Sequence, residues 1–447
     1  MIVEQKVKEI ENSQAELSVT INKEALQKQY STVLQKYMKT LQIPGFRKGK
    51  VPATVLEQKF GPTLKQESVF TTIDESVQEA LKQVDEKYRP LPYSTPALVD
   101  EEAIPTTLEA DLQFAVTYDI MPQFELPAYT DLEVEIPDVE ISDEDITHEI
   151  EHLQEQNSMV VEKNDPVATG DIVTIDYVEL DAEGQAVEGS SREDYVFTIG
   201  SNTNLFELDD DLVGMKAGQS KLVKKTFAEN YKYPEYAGRS VDLNVTVKVV
   251  KFRDVPALDD EFAQDVSDEY KTVADLKKAT KEKLEKNLEG GLKQKTLEAI
   301  ADLMLSAVEF SVPDSMLQLE LDATWRRFIS QSGMNEEQAL QFLAFQGQSK
   351  ETFTSGWAEG VTKGIKTQLL MEKIKNKEEI TIEEAELQSE VETQLQGIED
   401  ENTKSYYTAL IEDDLKMKKV EELLLQKNTT KKGEKIPYSQ FVNHHAH

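Results

Sequence analysis

Apolar and polar side chains alternate on both sides of Glu11-Asn12-Ser13, with Val3, Val7 and Ile10 before it and Leu17, Val19 and Ile21 after it. A near-period of two predicts strands over residues 1–21. The period then lengthens. Leu26, Tyr30, Val33, Leu34 and Tyr37 recur at steps of three and four, which predicts a helix from Lys23 to Thr40, and Pro44-Gly45 cannot continue it. Pro52 opens the next helix, since its fixed φ suits a first turn. Phe70, Ile73, Val77, Leu81 and Val84 form the stripe of a longer helix predicted from Pro62 to Val84, and alternation returns from Leu108 to Tyr118. These elements predict one α+β domain over 1–115.

Residues 121–143 read MPQFELPAYTDLEVEIPDVEISD, with three prolines among many acids. That composition suits an extended connector, placed at 116–149, better than a core. Short β runs follow at Ile172 to Val178, Tyr195 to Ile199, Ser220 to Phe227 and Val241 to Val250, punctuated by Gly, Asp and Asn, and they predict a small antiparallel β domain over 150–250. Beyond Pro256 the pattern turns helical, as in Leu284, Leu288 and Leu292, or Phe353, Trp357, Val361, Ile365 and Leu369 at steps of four. An all-helical region is expected over 251–430, then a polar flexible tail over 431–447.

A chain of 447 residues is too long for one core and divides into roughly three domains at about 150 residues each. The formal charge of −36 argues against broad nucleic-acid binding, because phosphates repel an acidic surface. The absence of cysteine removes disulfides, thiolate metal sites and a thiol nucleophile, and fits a reducing cytoplasm. Neither a leader nor a membrane-spanning run of about 18 apolar residues is read in the sequence, so no membrane partner is expected. One stretch departs from the acidic background: between Ala25 and Leu56 stand Lys28, Lys36, Lys39, Arg47, Lys48 and Lys50 without a single Asp or Glu. The tip of that stretch lies between two helices and carries Phe46 among its cations. A basic tip on an acidic body is an address for one anionic or phosphate-rich surface.

Catalytic constellations are poor. His148-Glu149-Ile150-Glu151-His152 matches H-E-x-x-H, in which two imidazoles bind zinc and the glutamate polarises water. Ile146, Ile150 and Leu153 mark the buried stripe of that helix, however, so both histidines face water, and the other histidines lie in the closing His444-His445-Ala446-His447. A solvated helix face without a metal is expected. No independent base serves a serine nucleophile, and no phosphate-cradling glycine loop is present, so neither a nucleotide nor any other cofactor is expected. In the helical region Met316, Trp325, Phe328, Phe342 and Phe345 are candidate contacts for unfolded apolar peptide, beside uncharged runs such as Ala344 to Ser349, although most large apolar residues there are core.

Gly45-Phe46-Arg47-Lys48-Gly49-Lys50-Val51-Pro52 resembles the ribosome-binding signature G-F-R-x-G-K-x-P of the bacterial trigger factor family, and the resemblance extends through domain order to Val255 to Phe262 and Val312 to Ser315. It implies a multidomain α+β protein of elongated shape: an N-terminal ribosome-binding domain, an FKBP-like middle domain at the other end, and C-terminal helices forming a body with two arms. It also implies an ATP-independent chaperone whose loop residues Gly45, Phe46, Arg47, Lys48, Gly49 and Lys50 meet a large-subunit protein at the ribosomal exit tunnel and nearby rRNA, with nascent and unfolded polypeptides as clients. A homodimer off the ribosome is left open. The FKBP-type domain implies prolyl isomerisation, which needs an apolar pocket rather than an acid or base. By position Tyr177, Tyr195, Phe197, Leu205, Leu208, Tyr231 and Tyr233 would line it. Two departures weaken that activity: Leu205-Phe206-Glu207-Leu208 replaces I-P-G-F or I-x-G-W, losing the glycine and the floor aromatic, and Val187 stands where an aromatic is common. The alternative function is a free prolyl isomerase with an enlarged substrate region.

Overall fold

The computed structural model describes residues 1–443 apart from Gly45, Lys48, Thr106, Ala182, Glu235 and Glu399, and it forms two compact units, 1–136 with 293–431 and 137–292 with 432–447. In the first unit, β1 (Ile2–Ile10) and β2 (Gln14–Ile21) make the predicted hairpin, turning through Asn12 and Ser13 at φ of 61° and 54°, a region short polar side chains tolerate. α1 (Lys23–Thr40) begins at Asn22, whose side-chain oxygen accepts from the Ala25 N–H at 3.0 Å. α2 runs from Ala53 to Leu81 as one helix with Pro62 inside it, where the sequence predicts two. Leu56 and Leu64, on either side of the proline, are fully buried with Val33, Ile43 and Val51. Burying two leucines at about 1.5–3 kcal/mol each offsets an interior proline at about 3 kcal/mol.

β3 (Ala97–Leu98) and β4 (Leu112–Asp119) complete an antiparallel sheet in the order β1-β2-β4-β3. Register pairs Leu17 with Val116, Val19 with Phe114 and Ile21 with Leu112, which puts these side chains on one face against Val69, Ile73 and Val77 of α2. Ser68, Thr72 and Ser76 are buried on the same helix. Their hydroxyls turn back to their own helix, Thr72 Oγ1 donating to the Ser68 carbonyl and Ser76 Oγ to the Thr72 carbonyl, each at 2.6 Å, so close packing leaves them satisfied.

β5 (Glu133–Glu140) precedes α3 (Asp143–Gln156), which opens with a Ser142–Asp145 capping box. The β domain follows, with β6 (Met159–Glu162), β7 (Ile172–Leu180), β8 (Arg192–Thr198), the single turn α4 (Asp209–Leu212), β9 (Ser220–Thr226) and β10 (Ser240–Asp254). Its antiparallel order is β6-β10-β7-β8 with β9 also on β10, so β10 is the spine. Val173, Ile175, Leu243, Val245 and Val247 fill the interior.

The helices are α5 (Asp260–Val266), α6 (Val273–Ser306), α7 (Asp314–Ser332), α8 (Glu336–Phe345), α9 (Lys350–Ser355), α10 (Ala358–Lys377), α11 (Glu384–Gln394) and α12 (Glu401–Lys427). Ile300 and Met304 of α6, Leu370 and Ile374 of α10, and Val420 and Leu424 of α12 share a core with Tyr129 and Val134. The expected connector is therefore extended but not coreless, because its few apolar side chains cover the helices. Asn428, 9% exposed, fixes it there: its amide donates to the carbonyls of Tyr129 at 3.0 Å and Leu424 at 2.8 Å and accepts from the Leu132 N–H at 2.8 Å.

The tail also departs from expectation. β11 (Thr429–Pro437) pairs with β5, and α13 (Tyr438–Asn443) follows. Lys432 meets Asp138 at 2.7 Å and Lys435 meets Glu140 at 2.6 Å, so cross-strand charge supplies what apolar alternation does not, and Phe441 is buried. His444 to His447 lie outside the described residues.

Two outcomes follow. The Tyr118 hydroxyl donates to the Tyr88 carbonyl at 3.0 Å, and burial pushes its pKa up to about 12. Because the folded value lies above the unfolded one, the stability Tyr118 gives is whole below about pH 10 and drains as pH rises toward 12; denaturation across that window should show a shallower loss for Tyr118→Phe. Asn428→Ala, which strands two buried carbonyls and an N–H, should cost about 2 kcal/mol or more, read as a lowered denaturation midpoint for the helical core.

Candidate functional site

The basic loop is pinned at both ends. Ile43 and Val51 are 4% and 1% exposed and join Val33, Leu56 and Leu64 in a small core of the α1–α2 hairpin. Between them the Phe46 N–H donates to the Ile43 carbonyl and the Lys50 N–H to the Arg47 carbonyl, each at 3.0 Å. Gly49 has a φ of 76°, a left-handed turn that glycine takes without strain. Phe46, Arg47, Gly49 and Lys50 are exposed. On the flanking helices Glu67 accepts from the Tyr37 hydroxyl and pairs with Lys36 of the basic stretch at 3.9 Å, and Glu57 accepts from the Tyr30 hydroxyl. Gly45 and Lys48 of the candidate set lie outside the described residues.

The seven pocket candidates come together in the β domain. Tyr177 stands edge-on to Tyr195 at 5.8 Å, Tyr195 lies 5.7 Å from Phe197, and Tyr231 lies 5.9 Å from Tyr233. Tyr177, Phe197 and Leu208 are buried, whereas Tyr195, Leu205, Tyr231 and Tyr233 are half-buried and offer an outer face. The Tyr231 hydroxyl donates to the Leu205 carbonyl at 2.6 Å, and burial raises the pKa of Tyr177 and Tyr231, the latter also through Glu207. Both hydroxyls therefore stay protonated at neutral pH.

Three aromatic residues of this cluster are missing from the sequence-based set. Phe206, 2% exposed, is edge-on to Tyr177 at 5.4 Å and to Tyr236 at 5.1 Å, and Phe227 packs on Tyr231 at 4.4 Å. The interior is thus not short of an aromatic: Phe206 fills it from two positions before Leu208, where a floor aromatic is expected. Glu207, exposed and standing where glycine is expected, keeps the glycine-like backbone at a φ of 50°. Its loop is tied by buried polar groups, the Leu208 N–H donating to Asn204 Oδ1 at 2.7 Å and the Gly200 N–H to Asp209 Oδ1 at 2.6 Å, with the Asn204 amide donating to Asp209 Oδ2. Val187 is 41% exposed.

Among the client-contact candidates, Phe342 and Phe345 on α8 are 53% and 91% exposed. Trp325 is not available: at 1% exposure it stacks on Phe328 at 5.7 Å and donates its indole N–H to Glu336 at 3.2 Å, because so large a ring fills the space between α7 and its neighbours. Phe328 is half-buried in the same cluster and Met316 is half-buried on α7. Tyr406 and Tyr407 on α12, 64% and 43% exposed, carry no periodic signal that would have singled them out. His148 and His152 are exposed, while Ile146 and Ile150 of their helix pack on Leu284. Among the described residues no helix is long and apolar enough to cross a membrane.

Comparison with known proteins agrees with this arrangement. The family model described as bacterial trigger factor protein matches residues 3–153, and that of its C-terminus matches 272–426. Between them, a model described as FKBP-type peptidyl-prolyl cis-trans isomerase matches 163–250. The trigger factor of Treponema denticola is 37% identical, with 97% of each chain covered, and that of Borrelia turicatae is 30% identical, with 99% of each covered. A solved structure of the trigger factor chaperone aligns with 95% of this chain and 100% of its own at 22% identity and a TM-score of 0.46, a likeness that carries no argument. The identities over nearly the whole length, with the family's N- and C-terminal models on either side of the FKBP-type match, establish that this chain belongs to the bacterial trigger factor family.

Proposed function

We propose that this protein is an ATP-independent cytoplasmic chaperone that docks at the ribosomal exit tunnel through residues 45–52 and holds nascent, unfolded polypeptide against exposed apolar side chains of its helical region. The observation that carries this reading is the loop: Phe46 and Arg47 exposed between buried Ile43 and Val51, in a chain of charge −36. Cations presented on a pinned turn can pair with phosphates of rRNA and acids of a large-subunit protein, while the acidic remainder disfavours contact elsewhere. Phe342 and Phe345 supply apolar surface that an unfolded segment can cover. The working partners are then the ribosome and nascent chains, with dimerisation off the ribosome as a further state.

The β domain adds a weaker activity. A prolyl bond must cross a barrier of about 20 kcal/mol, and an aromatic pocket lowers it by favouring the twisted amide, which has lost its resonance. The half-buried faces of Tyr195, Leu205, Tyr231 and Tyr233 suit a proline ring, but the Glu207 carboxylate beside Tyr231 places charge next to a surface that works by being apolar. The domain serves mainly as an additional peptide-binding surface. A free isomerase would not need the loop.

The combined substitution Phe46→Ala, Arg47→Ala and Lys48→Ala should abolish cosedimentation with ribosomes while circular dichroism and thermal melting stay unchanged; undiminished cosedimentation sinks the docking reading. Turnover of a proline-containing peptide should be low, and a rate like that of an ordinary FKBP-type isomerase would defeat the secondary assignment. Glu207→Gly should stabilise the β domain by about 1 kcal/mol by relieving its left-handed backbone, read as a raised denaturation midpoint.

A further inference from the structure

α7 lacks a cap of its own. Pro313 occupies its N-cap position and offers no side-chain acceptor, so the first N–H groups of the helix need partners from elsewhere. One partner comes from the N-terminal sheet: Oδ2 of Asp119, the last residue of β4, accepts from the Ser315 N–H at 2.9 Å. Its other oxygen accepts from the side-chain amide of Gln14 at 2.8 Å, its cross-strand neighbour. Asp119 is 5% exposed. A few residues upstream, the Ser13 hydroxyl donates to the Ser311 carbonyl at 2.7 Å. The turn of the first hairpin and the end of β4 therefore grip the chain at two points, Ser311 before α7 and Ser315 in its first turn, beside a stack of Phe124 on Phe310 at 4.2 Å.

We infer that Asp119 is a latch: a carboxylate lent by the α+β module as the missing N-cap of α7, so that seating of the module and ordering of the first turn of α7 are one event. A carboxylate at a helix start accepts from N–H groups that have no helical acceptor and faces the positive end of the helix dipole. Burial protects the interaction from salt screening. The junction is not otherwise saturated, since the Ser315 hydroxyl is buried without a hydrogen-bond partner, and an unmet hydroxyl opposes tight seating. The Asp119 bond is thus the specific fastening of a contact that packing alone leaves imperfect. This assignment rests on neither functional reading and concerns how the module bearing the basic loop is held.

Amide hydrogen exchange on the full chain tests it, followed in peptides that contain Ser315 and separately in peptides from β1 and β2. Asp119→Ala should speed exchange at the start of α7 about five-fold or more, the scale of losing a good cap. Gln14→Leu removes the bond within the sheet but leaves the latch, and should leave exchange at the start of α7 unchanged. Asp119→Asn, which keeps an acceptor and caps about as well as aspartate, should restore most of the protection. Unchanged protection in Asp119→Ala overturns the inference. So does equal acceleration in Gln14→Leu, which would mean general loosening of the sheet, or an asparagine variant as fast as the alanine one.

Discussion

A basic turn in a protein of charge −36 stays exposed only if it is held away from the carboxylates of its own chain, and this is the constraint on which the rest depends. The solution is local and apolar. Ile43 and Val51 enter a core that belongs to the α1–α2 hairpin alone, separate from the core between α2 and the sheet. Two side chains buried at about 1.5–3 kcal/mol each hold the ends of the turn, so its charged residues need no ion pairs to fix their position. The same hairpin is braced by the Tyr30 and Tyr37 hydroxyls, which donate across it to Glu57 and Glu67.

How far the fold was legible follows from which forces shape each element. The hairpin and β4 read correctly because one face of their sheet is buried, so alternation appears directly in the residues. Pro62 misled because its rule is local, whereas the stripe from Leu56 to Ala80 is buried as a whole. β11 carried no readable signal: all but two of its nine residues are exposed, and it is held by pairing to β5 and by lysines facing Asp138 and Glu140. Such a strand is visible only with its partner in view. The connector misled for a related reason, since Tyr129 and Val134 are few among acids yet both are buried.

The same distinction governs the site. The family resemblance singled out the loop and seven side chains that the fold gathers in and around one aromatic cluster, because a motif fixes which positions come together. Exposure is a different property. Periodicity shows that Trp325 and Phe342 belong to helices, but whether a neighbour covers them depends on α9 and α10, which come later in the chain. Glu207 shows how a departure from a motif can preserve backbone geometry while changing chemistry: its φ of 50° repeats what glycine would do, at a cost of about 1–2 kcal/mol, and Phe206 restores the aromatic contact. What remains altered is the charge beside Tyr231.

Apolar contact alone does not fix how segments distant in sequence register on one another, because greasy surfaces tolerate sliding and repacking. In this chain the register is set by single buried polar side chains. Asn428 joins Tyr129, Leu132 and Leu424 through three bonds, and Asp119 joins β2, β4 and the start of α7 through two. Each bond has a narrow range of distance and angle, and a misplaced register would strand the buried group at about 1–3 kcal/mol. The net gain of such a group is small, yet the penalty for the wrong arrangement is large, so it selects one arrangement more than it deepens stability. A chain whose basic loop and exposed phenylalanines lie in segments hundreds of residues apart needs that selectivity more than it needs a larger core.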